Sequence, residues 1–266
     1  MTSAAFFLVW VYIVAGIPFA VVHTTLAGMD TDVRAAGSGN PGATNVARLF
    51  GWRMAAPVLA ADIGKGFVPV VLARLLWPDW DPWFAWVVAG VAFSGHCWSM
   101  WLEFRGGKGV ATAAGTALAI TPLPTLLAAL LWVLTLGALG RSSVASLTAA
   151  LALVAGVSWL DPRALPYVVL LAAGIAWTHV ANVRRLLRGE EKTIVRPVRW
   201  GRPREGVERP EAALEQGPGG GAPATQWKER RHDPLEPTDL GLEPALTSAA
   251  PAPAQPDPAP PIADPG

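Results

Sequence analysis

The chain has one cysteine, Cys97, in 266 residues. That excludes a disulfide framework and a four-thiolate zinc site. Charge is scarce in the longer first part. Up to residue 183 there are nine Lys/Arg and seven Asp/Glu, whereas twelve and thirteen crowd the remainder. The formal net charge of +1 therefore says little, because the two parts nearly cancel. No Lys/Arg stripe of the kind that binds nucleic acid is present. The apolar stretch from Met1 to Leu26 lacks a basic start and is long enough to span a bilayer. It is expected to be a retained helix rather than a signal peptide.

What fills the chain instead is apolar runs. A spanning helix needs roughly 20 apolar residues. Runs of that kind lie at about 3–27, 54–77, 83–102, 143–160 and 164–183. The run 109–139 is longer. As one helix it would measure roughly 45 Å against a hydrocarbon core of ~30 Å. It contains Thr121-Pro-Leu-Pro124, and proline breaks or kinks a helix. Positive loop residues favour the cytoplasm. Arg34, Arg48 and Arg53, then Arg105 and Lys108, then Arg184, Arg185, Arg188 and Lys192 are thus expected inside, and Asp79 and Asp81 outside. The broken run must then cross twice. These rules predict an all-α integral membrane protein with about seven transmembrane helices, some short, and the N-terminus outside. Residues 1–196 would form that domain. Residues 197–266 hold fifteen of the 25 prolines and the run Gly219, Gly220, Gly221. They are expected to be a disordered Pro/Gly/Ala-rich cytoplasmic tail.

Two glycine-rich polar segments interrupt the apolar runs: Gly37-Ser-Gly-Asn-Pro-Gly-Ala-Thr-Asn-Val-Ala-Arg48 and Phe104-Arg-Gly-Gly-Lys-Gly-Val-Ala-Thr112. A bilayer tolerates irregular polar backbone only where it is buried in protein or lines a wet site. The first segment formally matches the dinucleotide fingerprint, but no βαβ unit surrounds it. Alone it could be a turn-rich connection. Ser38, Asn40, Thr44, Asn45 and Arg48 are more polar side chains than a turn needs, and they suit a phosphate. The second segment is no Walker A loop. No Ser/Thr follows Lys108, and Leu102 stands where a glycine is needed. It reads as a generic anion cradle, with N–H groups of Gly106, Gly107 and Gly109 beside Lys108 at a helix start. The plainer alternative is a positive-inside anchor.

Other polar residues fall at helix ends. A lone histidine is usually structural, but His96 and His179 both lie near ends that face the glycine loops. Asp62 and Lys65 are three apart on one helix face, either paired with each other or orienting the first loop. Ser142 and Ser143 are small packing residues or part of a site. Asn182 and Glu191 flank a basic stretch, where a solvated face is the alternative for Glu191. Trp77, Trp80, Trp83 and Trp86 suit an interfacial aromatic belt.

Together these residues resemble those of the bacterial membrane glycerol-3-phosphate acyltransferases that use acyl phosphate, the PlsY family. The motifs are Gly37 to Asn45, Asp62-Ile-Gly-Lys-Gly66, Gly95-His96 followed by Phe104 to Thr112, Ser142-Ser143, and His179-Val-Ala-Asn182 with Glu191-Lys192. They occur in family order over about residues 3–196. The chain departs from the family at Ser99, usually proline, at Glu103, often basic, at Arg105, usually lysine, and at Arg141, often aromatic. The resemblance implies fatty acyl transfer from acyl phosphate to glycerol 3-phosphate, giving lysophosphatidic acid and phosphate. It implies a bacterial cell membrane enzyme with a cytoplasmic site, in contact with membrane lipids and needing neither cofactor nor metal. Lys108, His96, Ser143, His179 and Asn182 are then expected to be catalytic. Ser38, Asn40, Thr44, Asn45, Arg48, Gly106, Gly107, Gly109 and Glu191 are expected to bind substrate. The His-x-x-x-x-Asp motif of thioester-using acyltransferases is absent, since Trp101 stands five after His96. A transporter of organic phosphates would explain the same runs, but would carry inverted-repeat symmetry that the sequence lacks. A structural scaffold would not gather polar residues on one face.

Overall fold

The computed structural model describes residues 2–194. Among them are ten α-helices and three 3-10 turns, with no strand. α1 (Thr2–Gly16) and α2 (Phe19–Leu26) are one apolar run bent by 49°. Pro18 sits in the break, where it cannot donate the next helical hydrogen bond. α3 (Ala43–Phe50) is a short helix that follows the first glycine loop. α4 (Trp52–Leu76) is the longest helix at 25 residues. α5 (Trp83–Cys97), α6 (Val110–Ile120), α7 (Pro122–Leu139), α8 (Ser142–Leu160), α9 (Leu165–Thr178) and α10 (Val180–Leu187) complete the chain.

The run 109–139 does break. α6 stops at Ile120, and α7 restarts at Pro122, the helical position at which a missing N–H costs least. α4, α7 and α8 are each long and apolar enough to cross a membrane, and the two bent pairs, α1–α2 and α9–α10, bring the number to five. α5, with 15 residues, and α6, with 11, are shorter than the hydrocarbon core by themselves.

The helix ends sort into two groups. Arg74 Nη1 donates to Ala119 O at 2.7 Å, and its Nε pairs with Asp81 at 3.3 Å. The end of α6 therefore lies beside the acidic turn that follows α4. At the other end, Gly140 O accepts the Ile194 N–H at 2.8 Å, and Thr178 Oγ1 donates to Lys108 O at 3.0 Å. So α6 leaves the glycine-loop end and α7 returns to it.

The interior is made mostly of Ala and Val. Lipid tails are as apolar as these side chains, so close backbone packing has to hold the bundle. α4 and α6 approach closely at Gly66 and Gly115, where any side chain would strike Thr112 O and Ile63 O respectively. Large apolar side chains such as Leu126, Leu130, Leu170 and Trp177 point outward instead. Trp77 and Trp80 pack edge-on against Phe84 at 5.1 and 5.4 Å, while Trp83 stays exposed. A second apolar cluster of Ala20, Val33, Val46, Ala47, Ala55 and Val58 seats α3 and the first glycine loop on α4. The expected tail from residue 197 lies outside the described residues.

Candidate active site

The first glycine loop is pinned by Asn45, which is 1% exposed. Its Nδ2 donates to Val33 O at 2.8 Å and Ala36 O at 3.0 Å. Its Oδ1 accepts the Ser38 N–H at 2.8 Å and Arg48 Nη1 at 3.1 Å. Gly37 has φ +63° and lies so close to Asn45 Oδ1 that a side chain there would collide. Asn45 thus holds the loop together through both ends of its amide. Ser38, Asn40, Thr44, Asn45 and Arg48 all line the cavity described below.

The second loop also differs from expectation. Gly106 N–H donates to Cys97 O at 3.0 Å and Gly107 N–H to His96 O at 3.1 Å, closing the C-terminal end of α5. Those two N–H groups are therefore not anion donors. A side chain at Gly107 would strike His96 Nε2, and one at Gly109 would strike the Phe93 ring, so these glycines serve close packing. What remains for an anion is Lys108 and the start of α6. Its N–H groups from Gly109 to Thr112 have no partner earlier in the helix. Lys108 Nζ makes no hydrogen bond or ion pair among the described residues. Burial pushes its ammonium down to about 8, with Glu191 acting against that and Arg185 and Arg48 adding to it.

Beneath this loop lies a cluster of ions. Lys65 Nζ stands 2.9 Å from Asp62 Oδ1, both side chains being 3% exposed. Asp62 Oδ1 completes no well-formed hydrogen bond of its own. Lys65 Nζ donates instead to Ile17 O at 2.9 Å, at the break between α1 and α2. His96 Nδ1 is 3.8 Å from Asp62 Oδ1 and 3.1 Å from Thr112 Oγ1. Of the two readings open for Asp62 and Lys65, the structure favours pairing with each other. Ser99 Oγ donates to Gly16 O at 2.6 Å, closing the same broken end of α1.

The segment after α10 closes the other side. Asn182 Nδ2 donates to Glu191 Oε1 at 2.6 Å, and Arg185 Nε to Glu191 Oε2 at 2.9 Å. Burial opposes ionisation of Glu191. Ser143, Asn182 and Arg185 together outweigh it and hold the carboxyl below the usual range. Ser143 Oγ is buried beside that carboxylate without completing a well-aligned hydrogen bond. Lys192 Nζ donates to Gly37 O, tying this segment to the first loop.

These parts enclose a cavity of about 470 Å³. Its polar end holds Arg48, Lys108, Arg185, Lys192 and Glu191, with Ser38, Asn40, Thr44, His179 and Asn182. Its other end is a groove between α7 and α8 lined by Ala128, Ala129, Trp132, Ala149, Ala150 and Leu153. His179 Nδ1 lies 2.8 Å from Ile175 O, which can only accept, so Nδ1 carries the proton and Nε2 a lone pair. Ser143 is not part of the cavity wall, whereas Ser142 and Ser146 are. Sequence reasoning missed Ser146, Trp132 and Arg185 as site residues. Arg185 was read only as a topology marker. Ser146 lies one helical turn beyond Ser142 and accepts from Trp132 Nε1 at 3.1 Å. Among the described residues no group of three His, Cys, Asp or Glu converges on a point where a metal could sit.

A helical membrane domain whose cationic pocket runs into an apolar groove defines an integral membrane protein that handles a phosphorylated lipid precursor. Residues 5–189 match the family model for glycerol-3-phosphate acyltransferase. The chain belongs to that family, and glycerol-3-phosphate acyltransfer in lipid synthesis is its activity. It is 44% identical over 185 residues to a glycerol-3-phosphate acyltransferase of Erythrobacter litoralis, covering 69% of this chain and 91% of that one. It is also 44% identical over 196 residues to one of Myxococcus xanthus, covering 72% and 99%. Among solved structures it is similar to PlsY, an integral membrane glycerol 3-phosphate acyltransferase, in its glycerol 3-phosphate form. That match has a TM-score of 0.66 at 30% identity, over 80% of this chain and 100% of that one. The lysophosphatidic acid form of PlsY gives a TM-score of 0.65 at 32% identity, over 72% and 95%.

Proposed function

We propose that the chain transfers a fatty acyl group from acyl phosphate to glycerol 3-phosphate, releasing lysophosphatidic acid and phosphate. The observation that carries this reading is one continuous cavity with cations at one end and an alanine-floored groove at the other. Both substrates carry a phosphate, and the groove suits an acyl chain. The glycerol 3-phosphate and lysophosphatidic acid forms of PlsY support the acceptor and the product.

In this reading Lys108 and the N–H groups that begin α6 hold the leaving phosphate and stabilise its developing charge. Arg48, Ser38, Asn40 and Thr44, with Arg185 and Lys192 opposite, hold the phosphate of the acceptor. Asn182 and His179 orient the acceptor hydroxyl, with His179 Nε2 as a hydrogen-bond acceptor for it. The hydroxyl oxygen bonds to the acyl carbon, the bond from that carbon to the phosphate oxygen breaks, and the proton passes to His179 Nε2 or to the departing phosphate. The donor is already activated, so no acyl-enzyme is needed. Glu191, at the polar end of the cavity, holds Asn182 and Arg185 in place, with Ser143 buried beside its carboxylate.

The same reading places seven crossings in a bacterial cell membrane, with the N-terminus outside and the cavity on the cytoplasmic side. The gathering of Arg48, Lys108, Arg185 and Lys192 at one end, and of Asp79 and Asp81 away from it, supports this.

The test supplies purified full-length protein with labelled glycerol 3-phosphate and one donor at a time. Acyl phosphate should exceed acyl-CoA and acyl carrier protein in kcat/KM by about a hundredfold, or roughly 2.7 kcal/mol. Comparable turnover with a thioester overturns the donor assignment. No acylated product with any donor overturns the reaction.

A further inference from the structure

Asp62 and His96 of the ion cluster beneath the second loop border the cavity, but the chemistry above gives none of the cluster a step. Lys65 does not line the cavity, and its ammonium is turned away toward Ile17 O. A buried ion pair is costly to desolvate, and it does not by itself make a protein more stable. Inside a membrane such a group is functional or paired. Here Lys65 and His96 each join a different interruption of the helices, and Asp62 links them. Lys65 holds the broken end of α1 through Ile17 O. Asp62, on the same face of α4, lies between Lys65 and His96. His96 contacts the start of α6 through Thr112 Oγ1, and its backbone carbonyl accepts the Gly107 N–H. The Gly107 backbone itself rests against His96 Nε2. Lys108 is the next residue.

We propose that Lys65, Asp62 and His96 form a positioning cluster that sets the place of Lys108 and the N-terminal end of α6 against the leaving phosphate. The inference rests on the acyl-phosphate reading, because it concerns where Lys108 must stand. It reassigns His96 from the expected catalytic role to a positioning one. Small displacements of a catalytic group are expensive, since about 1 Å of misplacement can cost on the order of 10²-fold in rate. The ordinary alternative is that the cluster merely keeps the protein folded. The two differ in their coupling to Lys108. A loss of folded protein lowers activity by the same factor whether or not Lys108 is present. A positioning defect acts through Lys108 and largely disappears once its side chain is gone.

The experiment is a double-mutant cycle on the full chain with acyl phosphate and labelled glycerol 3-phosphate. It compares the parent, Lys65→Met, Lys108→Ala and the double variant, with Thr112→Val in the same cycle. The valine removes only the hydroxyl that meets His96, and it stands in where Lys65→Met does not fold. In the parent background either substitution should lower kcat/KM, Lys65→Met by about tenfold or more. In the Lys108→Ala background the same substitution should cost less than about twofold. Equal fold losses in both backgrounds, or no loss in the parent, would overturn the positioning role. A parent with no acyl-phosphate turnover would instead overturn the reaction assignment, so the two failures are distinguishable.

Discussion

Asn182 Nδ2 donates to Glu191 Oε1 at 2.6 Å, and this contact folds the segment after α10 back over the cavity. Arg185 grips the other carboxylate oxygen at 2.9 Å. The segment then continues to Lys192, which meets the first loop at Gly37 O, and to Ile194, which meets Gly140 O. One carboxylate therefore sits among Lys108, Arg48 and Arg185 and moderates their mutual repulsion. Four expected outcomes follow from this arrangement and from the two loops.

Lys108→Ala should lower kcat by about 10²–10³, the usual cost of removing one donor aimed at developing negative charge. The variant should insert and purify normally, because Lys108 Nζ makes no hydrogen bond or ion pair with the described protein. Lys108→Arg should recover little, since a planar fork does not replace a compact ammonium in a tight pocket. Steady-state kinetics with acyl phosphate check both. Near-parental turnover in Lys108→Ala leaves Lys108 only an anchoring role.

Activity should fall on the alkaline side. Burial places the Lys108 ammonium at about 8, so the charged form dominates below that pH and is lost above it. The kcat/KM profile reports the free enzyme and should bend down near there. Glu191 favours the charged form, so Glu191→Gln should move the bend to lower pH. A profile flat to pH 10, or a bend that moves upward in Glu191→Gln, would contradict the assignment.

Asn45→Ala should disable the first loop. It strands the buried Val33 O and the half-buried Ala36 O and Ser38 N–H, a fully buried unpaired group costing about 1–3 kcal/mol and a half-buried one less. The melting temperature in detergent should drop, and KM for glycerol 3-phosphate should rise as Arg48 loses its guide. Unchanged stability with a raised KM would point instead to direct substrate contact by Asn45.

The two groups of helix ends should lie on opposite sides of the membrane. In a Cys97→Ala background, single cysteines at Ser38, Glu103 and Thr193, all exposed, should resist an impermeant thiol reagent applied outside intact cells. Asp79→Cys, on the opposite end, should react. Labelling at Thr193→Cys but not at Ser38→Cys would mean that 109–139 crosses only once.

The helical class and the break in 109–139 were legible because apolar length and proline act locally. The site was legible in part. Ser38, Asn40, Thr44, Arg48, Lys108, His179 and Asn182 do meet around one cavity. The pattern misled for the glycines. A Gly-Gly-Lys-Gly string looks the same whether its N–H groups face an anion or cap a neighbouring helix. At Gly106 and Gly107 they cap α5.

By itself the sequence determined the main apolar helical runs, the break in 109–139, and that cations gather at particular loops. Those properties depend on residues a few positions apart, through hydrogen-bond spacing, proline geometry and the cost of charge in hydrocarbon. Only the tertiary structure decided which donors were already used. It decided that Lys65 reaches Ile17 O, 48 residues away, and that Lys192 reaches Gly37 O, 155 residues away. Hydrogen bonds are short and saturable, so whether a group is free for a substrate depends on which distant atoms packing brings beside it.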